Sequence, residues 1–136
     1  MKYRKLKPWK YQLVEPFAIQ LGFLPPGDIY TEFVILGIGG RLTLKQYYAW
    51  DGASGPCPDI PNIMKGSLVH DALYQLMRLG LLDRSYRKSA DLELKRVCIQ
   101  SGMNRFWAGL IYWGCRVFCG PASWPKPDTL VYVILQ

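Results

Sequence analysis

The chain has little of what metal-held or disulfide-held folds are built from. Its 136 residues include four cysteines and one histidine, His70. No Cys-x-x-Cys pair occurs and His70 is far from any cysteine pair, so no zinc motif is present. The cysteines are also too few for a disulfide scaffold. We therefore expect reduced cysteines and an intracellular protein.

Long apolar runs are also missing. The longest, Phe106 to Cys115, is interrupted by Arg116, whereas a membrane-spanning helix needs about 20 such residues. The basic first ten residues are followed by Glu15 and Pro16 instead of the apolar core of a signal peptide. We expect a protein without a transmembrane span that stays in the compartment where it is made.

Positive charge is in excess. Lys and Arg number 17 against 10 Asp and Glu, a net charge of +7, and half of the chain is hydrophobic, enough for one core and against disorder. Residues 1–10 form a basic arm. The charge suits nucleic acid, an anionic membrane or an acidic protein. Nucleic acid is the least favoured of these, because no nucleic-acid-binding motif accompanies the charge.

The pattern along the chain predicts a single α+β domain. After the basic arm we expect a β region at 11–50, a loop at 51–66, helices over 67–120, and a tail at 121–136 with a possible strand at 129–135. The predicted strands are 11–14, 18–21, 33–38 and 41–47, with Gly39 and Gly40 as a hairpin turn. The predicted helices are 67–79, 86–100 and 104–118. The expected fold is a short antiparallel sheet with a helical layer whose first two helices are antiparallel.

The first two helices bring together the residues that can carry chemistry. His70 and Tyr74 are one turn apart on the first helix and share a face. Asp91 falls on the apolar stripe of the second helix, where a carboxylate is costly unless it is hydrogen bonded. Across an antiparallel pair, His70 and Tyr74 are its candidate partners. A carboxylate bonded to one ring nitrogen leaves the other able to accept a proton, as in a general base.

A cation site is a second candidate. Asp71 follows His70 and would point away from the His70–Asp91 pair, towards the loop that begins at Asp51. Two carboxylates with loop carbonyls form the oxygen-rich site that calcium prefers. A cation there could polarise a substrate carbonyl. A satisfied structural pair remains the other explanation for a histidine beside an aspartate.

Three runs carry a family resemblance: Asp51 to Pro56 (DGASGP), His70 to Tyr74 (HDALY) and Arg87 to Asp91 (RKSAD). In this order they resemble the signature of a phage-associated domain family of unknown function, over about residues 42–124. The resemblance implies a phage protein made in the host cytoplasm without a signal peptide, associated with the virion and with phage structural proteins as partners.

The same runs resemble bacterial and fungal phospholipase A2, in which a calcium loop precedes an HDxxY helix. That resemblance implies His70 as the catalytic base, Asp91 as its orienting group and Tyr74 as a support. Asp51, Gly52 and Asp71 would be the calcium ligands, and membrane lipid would be the substrate of a calcium-dependent ester hydrolase. Where the phospholipases have disulfide cysteines, this chain has Ala53 and Leu68.

Two other functions stay open beside ester hydrolysis. The chain could be a non-catalytic phage structural, assembly or host-interaction protein that keeps the fold and uses the same residues as a buried polar network. It could also be a cell-wall hydrolase that uses the same His and Asp residues with a different metal. The aromatic residues between Arg105 and Arg116 fit either a core helix or a helix at a membrane interface.

Overall fold

The computed structural model describes residues 1–5, 11–50 and 60–125 and has the α+β fold expected from the sequence. The sequence pattern predicts one domain, and the structure divides into two compact units with the boundary after Asp51. Among the described residues, the first unit holds the strands and the second holds the helices. The predicted strand at 129–135 lies outside the described residues.

The first unit contains two antiparallel sheets. The strands are β1 (Tyr3–Lys5), β2 (Tyr11–Leu13), β3 (Phe17–Gln20), β4 (Ile29–Tyr30), β5 (Val34–Leu36), β6 (Arg41–Leu44) and β7 (Ala49–Trp50). One sheet has the order β1-β2-β7 and the other β3-β6-β5-β4. On β6, Leu42 and Leu44 are fully buried, and they alternate with the more exposed Arg41 and Thr43, as in a sheet with one covered face.

The predicted strands and hairpin correspond to observed elements, with three additions. β5 and β6 pair through the turn at Gly39 and Gly40, where Gly40 has a φ of +87°. A Cβ at Gly40 would lie 2.9 Å from the carbonyl oxygen of Phe23, so only glycine fits. Three strands were not predicted: β1 within the basic arm, and β4 and β7. β4 and β7 are only two residues long, too short to show an alternating pattern.

The second unit contains α1 (Pro61–Arg78), α2 (Arg87–Gln100) and α3 (Arg105–Phe118). The prediction that the loop runs to residue 66 is wrong, because α1 begins at Pro61. A proline at the first helical position has no hydrogen bond to lose and its φ already suits the helix. The other predicted ends lie within a residue of the observed ones. Gly80 follows α1 with a φ of +74°, and the Asn104 side chain caps α3 by accepting from the backbone N–H of Trp107 at 2.8 Å.

Helices α1 and α2 form a closely packed antiparallel pair. His70 on α1 contacts Asp91 on α2, and further along α1 Tyr74 contacts Arg87, which is earlier on α2. Near the start of α1, a Cβ at Gly66 would lie 2.8 Å from the Cys98 sulfur and 3.1 Å from the Leu94 carbonyl oxygen. The absent side chain of Gly66 therefore allows the two backbones to approach, and this approach sets the positions of His70 and Asp91.

Candidate functional site

The centre of the site is a buried hydrogen bond between α1 and α2. His70 Nε2 lies 2.7 Å from Asp91 Oδ1, and Tyr74 donates its hydroxyl hydrogen to the same oxygen at 2.6 Å. The rings of His70 and Tyr74 lie 4.2 Å apart between centroids. Asp91 is fully buried and His70 is 2% exposed. The structure thus places both candidate partners of Asp91, His70 and Tyr74, on one carboxylate oxygen.

The second oxygen of Asp91 faces two arginines. Arg116 of α3 donates from Nη1 to Asp91 Oδ2 at 3.0 Å, and Arg87 Nε lies 3.9 Å from the same atom. Burial by itself raises the pKa of Asp91, but the hydrogen bonds from His70, Tyr74 and Arg116 outweigh it and hold the pKa below its usual range. Asp91 is therefore a buried carboxylate at neutral pH.

The charge of Asp91 determines the tautomer of His70. An ionised carboxylate only accepts hydrogen bonds, so the hydrogen of the 2.7 Å contact belongs to His70 Nε2. In a neutral imidazole with Nε2 protonated, Nδ1 is the accepting nitrogen. The arrangement is that of a histidine base oriented by an aspartate.

Arg87 connects the three helices around this pair. Its Nε donates to the Tyr74 hydroxyl at 3.1 Å, and its Nη2 donates to the carbonyls of Cys115 and Arg116 at 2.8 and 2.9 Å. Those carbonyls lie in the last turn of α3, where helix ends favour a cation. Burial and the hydrogen bond to Asp91 raise the pKa of Tyr74, so the phenol stays protonated and acts as a donor.

Two cysteines of the α3 region lie beside the pair. The described residues His70, Asp91 and Cys115 offer ligand atoms within 4.8 Å of one another, and Cys119 is one turn after Cys115. A hydrogen bond with Cys115 lowers the pKa of Cys119 to about 7, against the effect of burial. Imidazole and thiol donors suit zinc better than calcium, which takes oxygen ligands. The arginines at Asp91 also oppose a cation, so calcium does not fit this cluster.

The proposed calcium ligands can be placed only in part. Asp71 is half-buried on α1, directly after His70, and supplies a carboxylate of the type that calcium takes. Asp51 and Gly52 lie outside the described residues. The calcium interpretation, with the number and arrangement of its ligands, stays a prediction.

An apolar cavity of about 590 Å³ opens elsewhere in the second unit. Ile60 and Ile63 line it from the start of α1, and Trp107, Leu110 and Ile111 line it from α3. Ile63 precedes His70 by seven residues on α1, which places both on the same side of the helix about 10 Å apart along its axis.

Two charged residues of the site were not identified from the sequence. Arg87 is part of the RKSAD run and precedes Asp91 by four residues on α2, a spacing typical of a helical ion pair, so its role had a local signal. Arg116 was interpreted only as the end of an apolar run and as a flank of the aromatic helix. Its bond to Asp91 joins residues 25 positions apart on different helices, which periodicity does not encode.

Comparison of the chain with family models, curated proteins and solved structures finds no match. The fold and the site therefore define only a general class, an α+β protein with a buried histidine–aspartate pair between antiparallel helices. The phage and phospholipase resemblances rest on the sequence motifs alone.

Proposed function

We propose that the chain is a phospholipase A2-like ester hydrolase in which His70 is the general base and Asp91 orients it. The observation that carries this proposal is the 2.7 Å contact between His70 Nε2 and a carboxylate held ionised by Tyr74 and Arg116. An aspartate in this role fixes the tautomer and stabilises the imidazolium that forms when the base takes a proton.

In the proposed reaction His70 Nδ1 takes a proton from water as the water oxygen attacks the ester carbonyl. The tetrahedral oxyanion then collapses, the bond to the alcohol oxygen breaks, and His70 returns the proton to that oxygen. The products are a carboxylic acid and an alcohol. Bound calcium would supply polarisation of the carbonyl and stabilisation of the oxyanion. Its proposed ligands are Asp71, Asp51 and Gly52.

A lipid ester is the proposed substrate because the cavity near the start of α1 is apolar. Its volume of about 590 Å³ is in the range of small-molecule sites, and most of its lining side chains are aliphatic or aromatic. Ile63 lines it on the same side of α1 as His70. An acyl chain fits such a cavity better than a sugar or a peptide, which need more polar partners.

Fatty-acid release from mixed zwitterionic and anionic vesicles tests the proposal. We expect release with calcium, loss with chelator, and at least a hundredfold loss in His70→Gln, consistent with removal of a general base. Asp71→Asn should weaken the calcium dependence. Glu32→Gln, at an exposed acidic position of the first unit, is the matched control and should keep full activity.

The second candidate is a non-catalytic phage structural or assembly protein. The observation that favours it is burial: His70 is 2% exposed, Asp91 is fully buried, and both Asp91 oxygens already accept hydrogen bonds. Such a network can hold three helices together without any catalytic role. No release from vesicles, together with His70→Gln folded but less stable, would favour this function. Release of soluble fragments from purified cell wall would favour the cell-wall hydrolase instead.

A further inference from the structure

Helix α3 packs one side into the unit and exposes an apolar side. Its buried residues, Ala108, Tyr112 and Cys115, lie three and four positions apart and face the unit. The opposite side, which we name the α3 apolar face, consists of Phe106, Trp107, Leu110, Trp113, Val117 and Phe118. These side chains are 48% to 70% exposed.

Trp107 and Leu110 also line the apolar cavity, but the fold of the described unit does not account for the exposure of the other four side chains of this face. Scattered exposed apolar residues are ordinary, but six on one side of one helix form a continuous patch. An exposed side of this kind needs an apolar environment outside the unit. We therefore ask which partner matches the face chemically.

The charge around the face has one sign. No Asp or Glu occurs from Leu94 to Pro125, whereas this segment contains Lys95, Arg96, Arg105 and Arg116. Arg96 is paired with Glu93 and Arg116 with Asp91, so Lys95 and Arg105 supply the net positive charge of the segment. Arg105 is exposed and directly precedes Phe106 at the end of the face. The segment is thus complementary to a surface of negative charge.

The face lacks the polar groups of a protein interface. Protein interfaces carry about one hydrogen bond per 100–200 Å². Of the six side chains only Trp107 and Trp113 have a polar atom, an indole N–H, and tryptophan is typical of the boundary between hydrocarbon and headgroups. A second copy of the chain would bring no acidic group from residues 94–125 to pair with the exposed Arg105.

We infer that the α3 apolar face docks on an anionic lipid surface, with its aromatic side chains inserted at the headgroup boundary. Because α3 has 14 residues, about 21 Å, it lies in the plane of the membrane and does not cross it. This inference goes beyond ester hydrolysis and holds whether or not His70 is a base.

Vesicle flotation with the full chain tests the docking. The probes are vesicles of phosphatidylcholine alone and of phosphatidylcholine mixed with phosphatidylglycerol. We expect binding to the mixed vesicles, at least about tenfold weaker binding to the neutral ones, and at least about tenfold loss of binding in Trp113→Ser/Phe118→Ser. The matched control is Leu24→Ser/Tyr30→Ser, two exposed apolar residues of the first unit, which should bind like the wild type.

Both pairs of substitutions remove exposed side chains, so circular dichroism should show the native helix content in each. Equal loss of binding in both double variants, or binding of the α3 variant at the wild-type level, would overturn the inference. No flotation by the wild type would overturn it too. If size-exclusion chromatography then showed a dimer that Trp113→Ser/Phe118→Ser abolishes, the face would be a self-association interface.

Discussion

Asp91 connects the three helices of the second unit. Its two oxygens accept from side chains of α1 and α3, while the residue itself belongs to α2. A buried carboxylate is costly unless it is paired with a cation and hydrogen bonded. Asp91 is paired with Arg116 and accepts hydrogen bonds from His70 and Tyr74. The same contacts therefore hold three helices together and orient His70, which is why substitutions at this point should change stability as well as any activity.

Replacing Asp91 by Asn should destabilise the fold strongly. The variant removes the negative charge opposite Arg87 and Arg116, and breaking one side of a buried pair costs about 3–5 kcal/mol. Tyr74→Phe removes one hydrogen bond to the same carboxylate and should cost about 1–2 kcal/mol. Urea denaturation measures both, with Tyr30→Phe as an exposed control. Equal losses of unfolding free energy in Asp91→Asn and Tyr74→Phe would show that the charge of Asp91 does not contribute to stability.

Acid should weaken the fold through the same residue. The folded pKa of Asp91 is lowered, so its contribution is present above the unfolded value of about 3.9 and is lost as the pH falls through the folded value. We expect the drop in unfolding free energy below about pH 5 to be smaller in Asp91→Asn than in the wild type. Hydrogen bonds from Ser85 also lower the pKa of Asp83, but this residue is exposed and its contribution to stability is small. Asp83→Asn is therefore the control, and its acid dependence should stay close to that of the wild type. An acid dependence in Asp91→Asn as steep as that of the wild type would contradict this assignment.

The sequence was most informative about the pair itself. Asp91 on an apolar stripe required a partner, and the antiparallel arrangement limited the candidates to His70 and Tyr74, both of which the structure places on it. Arg116 could not be found in this way, because its contact depends on how α3 packs and not on spacing along one helix. Asp51 and Gly52 lie outside the described residues, so their proposed role rests on the motif.

At the scale of the elements, local signals determined how well the sequence predicted each boundary. The Asn104 side chain caps the start of α3, and the positive φ of Gly80 ends α1. Both signals are local to the sequence, so these two helix ends were predicted closely. The start of α1 was not, because Pro61 and Gly66 have the composition of a loop. Gly66 is retained in the helix by packing against α2, a reason that appears only when both helices are in place.

Gly66→Ala should separate α1 from α2. The added methyl group would meet the Cys98 sulfur and the Leu94 backbone, and overpacking of this kind costs about 1–3 kcal/mol. Gly109→Ala on α3, where a Cβ meets nothing within 4 Å, should instead stabilise by up to about 1 kcal/mol. Thermal unfolding measures both. Cys98→Ala should partly rescue Gly66→Ala, and a neutral Gly66→Ala would mean that the helix contact is looser than described.

At the scale of the whole molecule, charge and apolar surface make separate contributions to binding. The net charge of +7 attracts any polyanion at long range without selecting one. The α3 apolar face adds a short-range apolar contribution, which the proposed lipid surface would satisfy. No helix in the described part of the chain is long and apolar enough to cross a membrane. In the proposed binding at an anionic lipid surface, both contributions would act together.

Salt should separate these two contributions. Binding of duplex DNA rests on charge alone and should fall at least about tenfold as salt rises from low concentration past about 0.15 M, where screening acts over about 8 Å. Binding to anionic vesicles should fall less over the same range, because insertion of Trp113 and its neighbours does not depend on screening. Fluorescence titrations of the full chain with duplex DNA and with anionic vesicles, repeated at several salt concentrations, measure how steeply each affinity falls with salt. If vesicle binding fell as steeply as DNA binding, the basic residues alone would hold the chain at the membrane, and the apolar side of α3 would need another partner.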